Sequence, residues 1–151
     1  MRKQSARRSA FDADPSQSIG YLIRETNRLV LAQLQALLAP HDVTLGQYFV
    51  LRELWQREGL TQRELSERIA IQEQSTVATI DAMEKRDLVV RVRSTKDRRK
   101  IHIHLTARGR GLRKTLLGYA ARVINGATDD FDENELESLR TLLQKLRANL
   151  K

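Results

Sequence analysis

Between positions 91 and 100 the chain carries six cations, Arg91, Arg93, Lys96, Arg98, Arg99 and Lys100, against one carboxylate, Asp97. Clustered guanidinium and ammonium groups bind a polyanion, because each phosphate they neutralise releases a condensed counterion. Just upstream, Gln72, Gln74, Ser75, Thr76 and Thr79 supply short amides and hydroxyls. A glutamine amide pairs with adenine in the major groove, and serine or threonine hydroxyls reach several base edges. Neither set breaks covalent bonds. The absence of cysteine removes thiolate nucleophiles, disulfides, thiol redox sensing and Cys-ligated metals. His102 and His104 alternate with Ile101 and Ile103, and no acidic third ligand lies near them in sequence, so they read as a solvated strand face rather than a metal site. There is no Gly-rich phosphate loop, and Ser66, Ser75 and Ser94 lack a nucleophile signature. The residues imply binding without catalysis, cofactor or metal.

The cations sit on a predicted hairpin over residues 89–105. Val90 and Val92 before, and Ile101, Ile103 and Leu105 after, keep a two-residue period around the polar turn at Ser94–Asp97. Arg98 at the tip is the candidate for a minor groove, where a narrow A·T-rich stretch concentrates negative potential. Asp97 is expected to pair with Arg99 and hold the turn. The competing reading is a charged, solvated edge strand.

What precedes the hairpin favours the binding reading. Thr61 and Glu64 have capping-box spacing and start a helix reaching Ile69. A second helix spans about 72–86, with Val77, Ile80 and Met83 inward and the amides and hydroxyls near its amino end. Asp87 occupies a helix-ending position that demands left-handed backbone. Two short helices and a tight turn make a helix-turn-helix, whose second helix enters the major groove amino end first.

Longer helices flank this unit. One runs from 19 to 38, capped by Ser16 or Ser18 and stopped by Pro40; Thr44 caps another to about residue 57, ended at Gly59. Thr106 caps a long helix to about 125. A last helix runs from 132 or 133 to 150, where Leu136, Leu139, Leu143, Leu146 and Leu150 form a 3-4-3-4 seam suited to a partner helix.

A chain of 151 residues suits one domain. Its formal charge of +8 is segregated. Residues 129–135 are acidic, whereas the hairpin, the start (Arg2, Lys3, Arg7, Arg8) and Arg108, Arg110, Arg113 and Lys114 are basic. No stretch approaches the ~18 apolar residues of a membrane span, and the polar start does not read as a secretory signal. The expectation is a cytoplasmic protein without membrane contact. The fold class is mainly α with a β-hairpin wing. A basic arm at 1–15 is expected to be disordered and a single domain to fill 16–151, with the winged unit at about 44–105 between dimerisation helices at about 18–38 and 107–150.

These segments resemble the MarR family of winged helix-turn-helix regulators. DRRKIHIHLT fits the family's Asp-x-Arg-x5-Leu-Thr wing pattern with Asp97, Arg99, Leu105 and Thr106, and GLTQRELSERIAIQEQSTVATIDAMEKRDLV looks like its helix-turn-helix. PHDVTLGQYFVLREL is similar to its second helix. The resemblance covers about residue 18 onward; only Asp87 departs, standing where glycine is usual. It implies a homodimer, formed through the first and last helices, that binds a pseudo-palindromic double-stranded DNA site near a promoter. Asp97 would be the structural and Arg99 the DNA-contacting wing residue. It further implies a small aromatic acid-like effector between dimerisation helices and winged unit. Tyr21, Arg24, His41, Gln47 and Tyr48 are the candidates to hold it, with Trp55 assigned to the core. The expected function is a sequence-specific, ligand-released repressor. The alternative is an architectural DNA-binding protein indifferent to half-site spacing.

Overall fold

The computed structural model describes residues 14–69 and 73–151. Helix α1 (Ile19–Leu38) is capped by Ser18, whose hydroxyl accepts the Tyr21 N–H at 3.1 Å, while Ser16 bonds back to Asp14. Pro15–Gln17 forms a single 3-10 turn, and residues 1–13 of the expected arm lie outside the described residues. The helix ends at Leu38, ahead of Pro40 as expected. Pro40 sits inside a 3-10 turn, Ala39–His41, and the reversal comes at Asp42, with a left-handed φ of 54°.

Helix α2 (Leu45–Gln56) starts from a reciprocal capping box between Thr44 and Gln47, which satisfies amides that a helix start otherwise leaves unpaired. Gly59 takes a φ of +73° and turns the chain into β1 (Leu60–Thr61). Helix α3 (Gln62–Ile69) begins with Thr61 and Glu64 exchanging hydrogen bonds. Helix α4 (Glu73–Lys85) ends in a Schellman motif: Leu88 N–H donates to the Met83 carbonyl, Asp87 N–H to that of Glu84, and Asp87 has a φ of 56°. Aspartate thus fills a glycine position because its short side chain tolerates that backbone.

Strands β2 (Val89–Arg93) and β3 (Ile101–Leu105) form the hairpin, with Arg91 opposite Ile103. The sheet has a third strand that periodicity does not reveal. β1 pairs antiparallel with the far side of β3, giving the order β1-β3-β2. Two residues are too few to display an alternation.

After Thr106 caps the next helix, the expected single rod is split into α5 (Ala107–Gly111) and α6 (Arg113–Ala127). The break is Leu112 alone, which keeps right-handed helical backbone. Nearby, Gly109 is packed too closely for a side chain: a Cβ there would stand 2.1 Å from the Leu88 carbonyl oxygen, and the Gly109 carbonyl accepts the buried Trp55 indole N–H at 3.0 Å. Helix α7 (Glu133–Ala148) starts from a capping box between Asp132 and Glu135.

Leu51, Leu54, Leu65, Ile80, Met83, Leu88, Ile103 and Leu116 are buried in one core that joins α2, α3, α4, the sheet and α6. Truncating such a leucine to alanine costs ~2–5 kcal/mol. By contrast α1 exposes Ile19, Leu22, Ile23 and Leu29, and α7 exposes Leu139, Leu142 and Leu143, with Leu150 exposed just beyond its end. Among the described residues, no helix is long and apolar enough to cross a membrane.

Candidate nucleic-acid interface

Helix α4 presents Gln74 and Ser75 to solvent near its amino end. Thr76 does not belong to this face: it is 1% exposed. The correction is one of helical phase, since positions 76, 80 and 83 share the inward stripe with Ile80 and Met83. Thr79 is half-buried, its hydroxyl donating to the Ser75 carbonyl at 2.8 Å, and it packs where α4 passes Gly46 of α2. Gln72 lies outside the described residues.

Arg91 is a second correction. Instead of facing outward it spans from β2 to α4, 2.5 Å from Asp81 and 2.6 Å from Glu84, and its backbone N–H donates to Glu84 at 3.3 Å. Burial opposes its charge, but the hydrogen bonds to Asp81 and Glu84 outweigh that and raise its pKa above the ordinary arginine value. β2 is the free edge of the sheet, and Glu84 satisfies one of its outward amides.

At the wing tip the Ser94 hydroxyl accepts the N–H groups of Lys96 and Asp97, both at 3.2 Å. The Lys100 N–H donates to the Asp97 carbonyl, and the Arg99 N–H to the Asp97 carboxylate at 3.1 Å. The Arg99 guanidinium also meets that carboxylate, at 3.4 Å, from an almost fully exposed side chain. Arg93, Lys96, Arg98 and Lys100 are exposed and form no ion pair with the described residues.

The base of the wing is more tightly held than an alternating solvated strand would be. His102 Nδ1 lies 2.8 Å from the Gly59 carbonyl, and His104 lies 3.6 Å from the Glu58 carboxylate. Glu58 also receives two hydrogen bonds from Arg110, each 2.8 Å, and the Leu105 N–H. The Arg110 guanidinium holds the Glu58 carboxyl below its ordinary range, against a smaller effect of burial. These partners are far from residues 102–104 in sequence, which is why the histidines read as solvated. Among the described residues no cluster of three or more metal-ligating side chains is suited to a metal ion.

The five effector candidates do not converge. Tyr48 is 1% exposed, and its hydroxyl has no hydrogen-bond partner among the described residues. It lines a cleft of about 450 Å³ between α1, α2 and α6, together with Asn27, Val30, Phe49, Arg52 and Val123. Burial pushes the Tyr48 hydroxyl above its ordinary pKa, so it stays protonated and able to donate. Tyr21 and Arg24 stack on one another on α1, 5.3 Å apart, away from this cleft. His41 bonds the Tyr119 hydroxyl at 2.9 Å, and Gln47 is consumed by its capping box. Arg52 and Asn27 were missed. Arg52 follows Tyr48 by four residues on one helix, a spacing that shares a face.

Comparison with known proteins gives this arrangement a lineage. The MarR family model matches residues 43–101, which hold the helix-turn-helix and most of the hairpin. Over residues 43–101 the chain is thus similar to the MarR family. The HTH-type transcriptional regulator TtmR of Methylorubrum extorquens is 32% identical over 116 residues, covering 76% of this chain and 60% of TtmR. The chain thus spans about three fifths of that relative's length. The structure of the repressor CouR bound to a 23-mer DNA duplex superposes with a TM-score of 0.81 at 28% identity, over 89% of this chain and 96% of CouR. CouR from Rhodococcus jostii RHA1 bound to p-coumaroyl-CoA gives 0.78 at 26% identity, over 89% and 95%. The mainly helical architecture with an antiparallel wing is that of MarR winged-helix proteins.

Proposed function

We propose that the protein is a homodimeric transcriptional regulator that represses from a pseudo-palindromic operator and is released by a small aromatic acid-like effector. The observation that carries the DNA reading is the Arg91 bridge, which makes α4 and the wing one unit while Gln74, Ser75 and the tip cations remain outward. In this reading Gln72, Gln74 and Ser75 read base edges in the major groove. Arg98 enters the minor groove, and Arg93, Lys96, Arg99 and Lys100 meet phosphates. The repressor CouR, of the same fold, is bound to DNA in its structure, which supports this assignment.

The uncovered apolar faces of α1 and α7 support a dimer, because a second copy would bury both. The Tyr48 cleft supports the effector: apolar walls accept a ring, Arg52 offers a cation to a carboxylate, and the unpaired hydroxyl gains a partner. That CouR was solved with p-coumaroyl-CoA agrees with an aromatic acyl ligand. Such a protein acts in the cytoplasm on double-stranded DNA.

The test is selection of genomic fragments by the purified protein at physiological salt. An enriched inverted repeat, with half-sites about one helical turn apart, supports a dimeric regulator. Uniform, salt-sensitive recovery without a motif would instead identify an architectural DNA-binding protein.

A further inference from the structure

At the end of α4 the Arg86 side chain crosses to the loop that joins α1 to α2. Its guanidinium donates to the carbonyls of Asp42 and of His41, the latter at 3.1 Å, and to the Gln47 side-chain oxygen at 3.3 Å. The Asp42 carboxylate lies 3.7 Å away. A planar guanidinium that serves several fixed acceptors has one placement, unlike a flexible ammonium.

The loop that Arg86 grips is itself held on every other side. The Gln35 amide, on α1, donates to the Val43 carbonyl at 3.4 Å and accepts the Leu45 N–H at 3.0 Å. His41 is joined to Tyr119 of α6. From α5, Arg108 donates to the Arg86 carbonyl at 3.1 Å, so the last turn of α4 is pinned as well. The first helix, α5, α6 and the DNA-reading helix therefore meet at one junction, and Arg86 is the side chain through which α4 enters it.

We infer that Arg86 is a positioning residue that fixes the separation and angle between the two reading helices of the dimer, and so the half-site spacing the protein accepts. The inference rests on the dimeric reading above. In that dimer α1 meets the partner copy and also holds this junction through Gln35, so a path from one reading helix to the other runs through the junction in each protomer. Each base pair inserted between half-sites moves them apart by ~3.4 Å and rotates them by roughly 35°. A clamp held by several hydrogen bonds resists displacement on that scale. With Arg86 removed, α4 keeps its core contacts through Ile80 and Met83 but loses its tie to the loop, and the spacing requirement relaxes.

The experiment uses the full chain and the inverted repeat recovered from genomic DNA, with versions carrying one or two extra base pairs between half-sites. The readout is the ratio of affinities for native and expanded spacing, alongside thermal melting. Arg86→Ala should lower that ratio by roughly threefold or more, the scale on which coupling residues act. Arg86→Lys, which keeps the charge but not the fork, should lower it less and serves if the alanine variant fails to fold. Equal weakening at every spacing would make Arg86 only a stabilising residue and overturn the inference, as would unchanged ratios in both variants. Failure to recover any inverted repeat would overturn the dimeric reading and this inference with it.

Discussion

Arg91 and Glu84 meet twice, once through the backbone N–H of Arg91 at 3.3 Å and once through its guanidinium at 2.6 Å, with Asp81 completing the bridge. One cation therefore ties the wing to α4 and neutralises two carboxylates on that helix, the proposed reader of DNA. Arg91→Ala should weaken DNA binding more than the loss of a tip cation, because it frees the wing and leaves both carboxylates facing phosphate. Stability should fall by only ~0.2–1 kcal/mol, because the Asp81 and Glu84 side chains are 49% and 39% exposed and solvent screens the pair. Adding Asp81→Asn and Glu84→Gln should restore part of the binding but not the stability. Denaturant titration and DNA affinity of the single and triple variants check both.

Arg98 and Gln74 should fail differently. Arg98→Ala should weaken every sequence and reduce the slope of log affinity against log salt by about one, as loss of a phosphate or minor-groove cation does. Gln74→Ala should instead change base preference by ~1–3 kcal/mol at one position with the slope unchanged. Binding isotherms on operator and scrambled DNA over a salt series separate the two. Matching behaviour would mean that Gln74 does not read bases.

Where a signal is local, the sequence carried it. Ser18, Thr61 with Glu64, and Asp87 act within a few residues of themselves, so helix starts and stops were legible from type and spacing. The alternation of Val90, Val92, Ile101 and Ile103 marked the hairpin in the same way. What escaped depends on partners distant in sequence. Thr76 looked like a groove-facing hydroxyl until the phase set by Ile80 and Met83 turned it inward. Arg91 looked like its neighbours because Asp81 lies ten residues back on another element. The junction at Arg86 joins residues 39 to 45 positions apart, and no periodicity encodes that.

Tyr48→Phe should separate stability from effector response. The hydroxyl is buried without a partner among the described residues, so it incurs the cost of desolvation and receives no hydrogen bond in return. Removing it should leave stability unchanged or raise it by about 1 kcal/mol. Release of DNA by aromatic acids should become weaker, since the variant lacks the donor that discriminates a ligand oxygen. Thermal melting with and without a panel of hydroxycinnamic and benzoic acids, followed by DNA release, tests this. An undiminished response would remove Tyr48 from the effector site.

Glu58 should govern the acid limb of stability at the base of the wing. Arg110 holds its carboxyl below the ordinary glutamate range, and the Thr61 hydrogen bonds do the same for Glu64 at the start of α3. A carboxyl whose folded pKa is depressed binds protons more readily when unfolded. Its contribution is therefore fully present above the ordinary glutamate range and is lost as pH falls through the depressed folded value. Stability should decline over that interval, and Glu58→Gln should flatten the decline while lowering the plateau at neutral pH. His104, 3.6 Å from the Glu58 carboxylate, adds a smaller pull in the same direction as Arg110. Denaturant midpoints from neutral to acid pH, for the native chain and for Glu58→Gln and Glu64→Gln, would reveal this decline. An acid limb equally steep in the Glu58 variant would place the titrating group elsewhere.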